Sequence, residues 1–279
     1  MKVIDFRIRP PYKEFLDTVM FAQAERRDRI TRAIGFEPSI AAQQKSVDLL
    51  LAEMDTGGVG AGVVVGRNSG SLGSVPNDVV KEFCDRYPGR FIPVGSVDPH
   101  HRKPAIAEIE RVMALGFKAI NIEPGGSNPP LHVDDAKLYP IYAFCEDRNV
   151  PLILMTGGNA GPDVSYSDPQ HLDRMLADFP GLMVVASHGS WPWVHQALHV
   201  AFRRQNLYLS PDYLLANMPG MDDYIRAADG FLSDRFVYAS AFPFAPVSGF
   251  LEWFRKLPIR PENIEKILYS NAAKFLNLK

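Results

Sequence analysis

The residues of this chain best suited to chemistry are a pair of arginines, a histidine and a few carboxylates. Arg7 and Arg9 stand two positions apart near the N-terminus. Guanidinium groups are planar forks that bind carboxylates or phosphates bidentately. His188, in Val184-Val-Ala-Ser-His-Gly189, has an imidazole whose ordinary pKa suits general acid–base work near neutral pH. Asp212 is placed to orient that imidazole, and Glu123 is a second candidate base. Asn121, Thr156, Trp191 and Ser240 are the polar and aromatic groups expected to touch a substrate. Two enclosed guanidiniums lose on the order of several kcal/mol of hydration each unless anions meet them. A small carboxylated substrate would meet them. So would an internal network in which Asp5, Glu123 and Asp212 neutralise both arginines.

Strand and helix signals say how these residues come together. Val3–Arg9 alternates with period two, so Ile4, Phe6 and Ile8 are predicted to face outer helices, while Asp5, Arg7 and Arg9 face inward. Further short apolar strands are predicted at Ala61–Val65, Phe91–Ser96, Ala119–Glu123, Pro151–Met155, Met183–Ser187, Leu207–Ser210 and Phe236–Tyr238. Helical patterns separate them, among them Ser46–Asp55, Asn77–Tyr87, Pro104–Leu115, Leu138–Arg148 and Pro169–Asp178, with a closing helix at Glu262–Leu276. Strands alternating with helices at this spacing call for a covered parallel sheet. In a chain of 279 residues the pattern predicts a single α/β domain, a (β/α)8 TIM barrel over 1–279, with a helical insertion at about 13–45. No Gly-x-Gly-x-x-Gly follows a strand, which removes the main support for a dinucleotide fold. Lys13 to about Ile34 reads as an amphipathic helix with a basic end at Glu25–Arg29, solvated or touching a second copy rather than a ligand. Barrel chemistry sits at the C-terminal ends of strands. There the candidates fall in order: Arg7 and Arg9, Arg67-Asn68, Asp98 to His101, Asn121 and Glu123, Thr156, His188 and Trp191, Asp212, then Ser240-Ala241.

Composition limits the alternatives. The chain is 46% hydrophobic and 22% charged, with a formal net charge of -2, a pI near 6.4 and a mean hydropathy of -0.10. No basic surplus points to nucleic acid or an anionic membrane. No apolar run approaches bilayer length, and no basic-then-apolar leader opens the chain. Cys84 and Cys145 are read as free thiols in a reducing compartment, so the expectation is a cytoplasmic protein.

Several motifs in the right order carry a resemblance. Val3-Ile-Asp-Phe-Arg-Ile-Arg9 resembles an I-D-x-H-x-H opening. Tyr139-Pro-Ile-Tyr142 with Pro151-Leu-Ile-Leu-Met-Thr-Gly157 resembles Y-P, helix, P-V-x-I-H-x-G. Val184–Gly189 resembles a strand ending in His-Gly, Tyr238-Ala-Ser-Ala-Phe-Pro-Phe244 resembles G-S-D-x-P-F, and Ile267-Leu-Tyr-Ser-Asn-Ala-Ala273 resembles I-L-x-x-N-A. Together they resemble the amidohydrolase-related family of aminocarboxymuconate-semialdehyde decarboxylase, dihydroxybenzoate decarboxylases and pyrone-dicarboxylate lactonases. The resemblance implies a metal held by the H-x-H pair, two further histidines and an aspartate. Those positions here read Arg7, Arg9, Thr156, His188 and Ala241. Arginine is a cation without a lone pair to donate, so no catalytic metal and no cofactor is expected, and the arginines replace the missing cation.

The expectation is therefore a metal-independent hydrolase that opens a lactone or ester of a small carboxylated molecule. His188 would activate water and the arginines would hold the anion. A decarboxylase of a small aromatic or unsaturated acid uses the same parts, and a non-catalytic binder of an anionic metabolite needs only the arginines. A homodimer is compatible with the basic insertion.

Overall fold

In the computed structural model, which describes residues 2–278, parallel strands run consecutively around a barrel. They are β1 (Ile4–Ile8), β2 (Ala61–Val65), β3 (Phe91–Ser96), β4 (Ile120–Ile122), β5 (Leu152–Met155), β6 (Val184–Ser187) and β7 (Leu207–Ser210). Each pairs in parallel with the next, and the helices between them cover the outer wall. The eighth position differs from the expected strand at Phe236–Tyr238. Residues 236–242 close the ring by isolated bridges, Leu209 to Phe236 and Ile8 to Phe242, without a continuous ladder. Four backbone bonds join this closing stretch to its two neighbours in the ring: Val237 N to Leu209 O (2.9 Å), Leu209 N to Arg235 O (3.0 Å), Phe6 N to Tyr238 O (3.1 Å) and Arg9 N to Phe242 O (3.0 Å). The fold is a TIM-barrel α/β architecture.

Two apolar cores separate the inside of the barrel from its jacket. One joins Ile4, Phe6, Val63, Val65, Val94, Ile153, Val185, Tyr208 and Val237, with Phe275 and Leu276 from the last helix. Only the lumen brings together side chains from so many strands, so this cluster fills the barrel and the C-terminal helix stoppers it. Alternate residues, such as Val64, Leu154, Ala186 and Leu209, belong to the second core, against the helices.

β1 corrects the strict alternation read from the sequence. Asp5 is opposite Gly62 but Ile8 is opposite Val64, so β1 spends one residue more than β2 over the same span. That bulge puts Ile4 and Phe6 in the lumen, where outward positions were predicted. Ile8 does face outward, over Gly62, and Arg7 and Arg9 reach the lumen above Phe6. Asp5 turns to the outer side, where its Oδ1 accepts from the Arg7 and Ser240 backbone amides.

The insertion is several short pieces rather than one helix: Lys13–Asp17 (3₁₀), Val19–Ala22, Ala24–Ala33 and Ile40–Gln43. Arg27, buried, fixes it by donating to Met20 O and Ala42 O and pairing with Asp28. After β2 a hairpin, Arg67–Ser69 with Gly73–Val75, rises beside it. The closing helix is divided, Pro261–Glu265 and Asn271–Phe275 flanking a π turn at Lys266–Ser270. Among the described residues no helix is long and apolar enough to cross a membrane.

Candidate functional site

Glu123 lies at the centre of the barrel mouth. It follows β4 on the same face as Ala119 and Asn121, and its side chain is fully buried. Three guanidiniums converge on it. Arg7 Nη2 is 3.4 Å from Oε1, Arg9 Nη2 donates to the same oxygen in a short bond, and Arg67 places Nη2 at 3.2 Å from Oε1 and Nε at 2.9 Å from Oε2. The Arg67 Nε contact is one of charge alone, because neither atom has hydrogen-bond alignment. Arg9 Nε also donates to Val65 O, and Asn121 bridges Glu123 to Gly66 O. Burial alone would raise the Glu123 carboxyl, but Arg67, Arg9 and Arg7 outweigh it and hold Glu123 far below the usual carboxylate range. Burial lowers Arg7, and burial with repulsion from Arg67 lowers Arg9 further. Guanidiniums nevertheless keep their protons in proteins. Three cations around one anion leave a formal charge of +2, and the buried Arg7 Nη1 has no hydrogen-bond partner. The cluster thus carries an excess of positive charge in its side chains, which the neighbouring Asp212 carboxylate offsets in part at Arg7.

Beside this cluster stands the second unit. His188 Nδ1 lies 2.9 Å from Asp212 Oδ1 and 2.8 Å from Oδ2. A carboxylate only accepts, so Nδ1 carries the proton and Nε2 keeps its lone pair. The His188 backbone N–H donates to the same carboxylate at 3.3 Å. Burial lowers the His188 pKa, Asp212 opposes that shift, and Arg7 adds to it, so the ring is neutral at neutral pH. His188 (φ 64°), Asp212 (φ 50°) and Ala241 (φ 52°) all have left-handed backbone at consecutive strand ends. Non-glycine residues hold that conformation at a cost of about 1 kcal/mol or more, and such strain concentrates at functional sites. Gly157 belongs to the same constraint, since a Cβ there would lie 2.5 Å from His188 O.

A cavity opens over these groups. Arg67 and His188 line its floor, Tyr213 and Phe244 stack (5.0 Å between ring centroids) along one side, and Met155 and Leu72 complete the inner wall. Its roof is the insertion, through Val19, Met20, Gln23, Arg26 and Ile30. The insertion, expected from the sequence to be solvated or to touch a second copy, forms one side of this cavity.

The structure brings together Arg7, Arg9, Asn121 and Glu123 in one cluster, and His188 with Asp212 in another. It corrects other roles. Glu123 is engaged by three guanidiniums as their counter-anion, Arg9 is bonded to Glu123 and Val65 O, and none of Arg7, Arg9 and Asn121 lines the cavity. Internal neutralisation operates chiefly through Glu123, with Asp212, bonded to His188, adding to it at Arg7, while Asp5 points away. Thr156 Oγ1 accepts from Ser190 Oγ outside the cavity. Ser240 is fully buried on the outer side, with its Oγ accepting from Phe242 N. Trp191 donates to Pro219 O and leaves the aromatic wall to Tyr213 and Phe244. Arg67, a candidate at the end of the second strand in the sequence, is the third cation and shares inward parity with Val63 and Val65.

The implied metal can be tested against these side chains. At the corresponding positions stand two cationic guanidiniums, a threonine hydroxyl engaged by Ser190, a methyl group and one imidazole, whose Nε2 alone could donate to a metal. Among the described residues no group of three or more His, Cys, Asp or Glu side chains is placed to hold a metal ion. This donor set does not fit a divalent ion.

Comparison with known proteins places this geometry. A family model described as amidohydrolase matches residues 13–278. No curated protein matches the chain. An uncharacterized TIM-barrel protein from Bordetella bronchiseptica is similar at 51% identity, covering 100% of this chain and 99% of its own, with a TM-score of 0.97. A 5-carboxyvanillate decarboxylase from Sphingomonas paucimobilis is 18% identical over 100% of this chain and 99% of its own, TM-score 0.72. A dihydroxybenzoic acid decarboxylase from Polaromonas, with bound manganese and the inhibitor 2-nitroresorcinol, is 17% identical over 99% of this chain and 97% of its own, TM-score 0.73. At these last two identities the likeness is one of fold.

Proposed function

The chain belongs to the amidohydrolase family, and from that premise we propose that it decarboxylates a small aromatic or unsaturated hydroxy acid without a divalent metal. The observation that carries this reading is the neutral, Asp212-oriented imidazole of His188 on the same cavity as the cation Arg67. The decarboxylases among its fold relatives support the choice of reaction.

The chemistry follows from the charges. His188 Nε2 takes the proton of a hydroxyl adjacent to the carboxylated carbon, and Arg67 stabilises the oxyanion that forms. The imidazolium returns that proton to the carboxylated carbon, leaving a ketone in the ring or chain. The carbon–carboxylate bond then breaks, its electron pair restores the enolate or phenolate, and CO₂ departs. A solvent proton finally neutralises the oxyanion, so each turnover consumes one proton. Asp212 holds the imidazole in the tautomer this shuttle needs. The apolar walls formed by Met20, Leu72, Met155 and Phe244 disfavour the carboxylate relative to neutral CO₂.

The unprotonated Nε2 beside a cation also suits lactone or ester opening, with water as the nucleophile and Arg67 on the developing oxyanion. One experiment separates these readings. Chelator-treated protein is assayed against 2-hydroxybenzoic acids, enolic acids and carboxylated lactones, following CO₂ release and ring opening. CO₂ release that falls about 10³-fold in His188→Ala, and declines in wild type only on the acid side of the ordinary imidazole range because burial lowers the His188 pKa, supports decarboxylation. Asp212→Asn removes the group that raises the His188 pKa, so the acid limb moves to lower pH while the rate falls. Ring opening without CO₂ release selects the hydrolase. Activity that requires an added divalent ion overturns the metal-free proposal, and acids that raise Tm without turnover leave a binding protein.

A further inference from the structure

The hydroxyl of Tyr213 is a further polar group of the chamber that holds His188 and Arg67. Tyr213 follows Asp212 directly and is 5% exposed. Its ring is fixed on two sides. It stacks on Phe244, and it meets the His188 imidazole edge to face, with 5.5 Å between centroids and 75° between planes. The ring thus extends from the loop after β7 past the imidazole. Its hydroxyl ends beside Gly158 in the loop after β5, where a Cβ added to that glycine would lie 3.8 Å from the oxygen. Arg67 enters the same chamber from the hairpin after β2, so the two donors come from different strand ends.

A buried tyrosine hydroxyl ordinarily finds an acceptor within the protein. Tyr142 donates to Val133 O at 2.9 Å, and Tyr224 donates to Gly189 O at 2.8 Å. Tyr213 Oη makes no hydrogen bond among the described residues, and its side chain lines open space. Burial, with Asp212 adding to it, pushes the phenol well above its ordinary pKa, and Arg7, Arg26 and Arg67 oppose that shift without cancelling it. The phenol keeps its proton. It is a donor that the protein leaves for the oxygen of a bound molecule.

We propose that Tyr213 is a specificity-determining residue whose hydroxyl donates to an oxygen of the reacting carboxylate. This deepens the proposed function and rests on the His188 and Arg67 floor assigned there. The substrate hydroxyl lies at His188 Nε2 and Arg67, and the neighbouring carboxylate turns toward Tyr213. The charges decide which donor meets which oxygen. A charge-assisted hydrogen bond is roughly twice as strong as a neutral one. A guanidinium on the departing carboxylate would hold it in the ground state and raise the barrier. On the oxyanion, where charge develops, the same guanidinium lowers the barrier. A neutral phenol orients the carboxylate and gives up little when CO₂ leaves.

The test uses salicylate and phenol, which share a ring and a hydroxyl and differ in the carboxylate, with Kd measured by calorimetry on the full chain. Tyr213→Phe keeps the ring against Phe244 and removes only the hydroxyl. The variant is expected to bind salicylate roughly tenfold more weakly and phenol as wild type does. Unchanged phenol binding also shows that the chamber is intact. Arg67→Gln weakens both probes, which marks the floor separately from the tyrosine. If Tyr213→Phe weakens both probes equally, the hydroxyl serves the oxygen they share, and the carboxylate assignment is overturned while the floor stands. If it changes neither, Tyr213 is wall alone and the proposal falls. If wild type binds neither probe, the floor assignment fails and the role of Tyr213 fails with it.

Discussion

Two buried ionic sites share β1 and carry opposite imbalances. Toward the lumen, Arg7 and Arg9 join Arg67 in an excess of positive charge over Glu123. Toward the helical jacket, Asp5 is fully buried with no cation against it, served by two backbone amides. Burial drives its pKa up to about 6. Its Oδ2 and the nearby hydroxyl of Tyr238 are both buried without partners. The carboxylate can relieve its imbalance by taking up a proton below about pH 6, a route closed to guanidinium. The cationic cluster instead stands next to a cavity, where an anion from solution can complete it. Burial of charge alone does not mark a ligand site; an imbalance that protonation cannot relieve, beside open space, does.

Substitutions at each site test that contrast. Glu123→Gln strips the lumenal cluster of its only anion and should cost about 3–5 kcal/mol in denaturant unfolding. Adding Arg67→Gln to it should restore part of that loss, and an additive second loss would argue against one coupled network. Asp5→Asn should act in the opposite direction. A raised folded pKa means that ionising Asp5 opposes folding, so wild type loses stability as pH rises from about 4 to about 6. The variant should therefore be about 3 kcal/mol more stable at pH 8, with no advantage near pH 3.5. An equal gain at both pH values would place its origin in packing rather than charge. Ser240→Ala should show the smallest effect, about 1 kcal/mol, from loss of the Oγ acceptor for Phe242 N. A change in substrate Kd there would return Ser240 to the cavity.

Much of the barrel was legible because each βα unit repeats a short apolar strand and a helix, and His188 and Asp212 fall at adjacent strand ends whichever way the details run. The bulge in β1 was not legible. Ile4-Asp-Phe-Arg-Ile-Arg9 alternates without a break, and nothing in those residue types announces an extra backbone position. That one residue moved Phe6 inward and Asp5 outward. Ser240 was misplaced because the last segment bridges its neighbours without a ladder, so strand parity does not apply. Arg67 was readable as a strand-end residue, two positions beyond Val65 on the same face, but its pairing with Glu123 across the mouth is a contact that local patterning does not carry. The roofing role of the insertion depends on Arg27 bonding back to Met20 and Ala42, contacts between distant turns that no local pattern contains.

The four backbone bonds that close the wall at residues 236–242 make a zipper with few teeth, while every other joint is a ladder. Local opening free energy scales with the bonds and contacts broken, so breathing of the cylinder is concentrated there. This joint flanks Phe244, against which Tyr213 is stacked, and Thr31 Oγ1 of the insertion donates to the Phe244 carbonyl. A widening of the wall at this point would move the aromatic side of the chamber and its roof as one body, giving a molecule the size of an aromatic acid a way in.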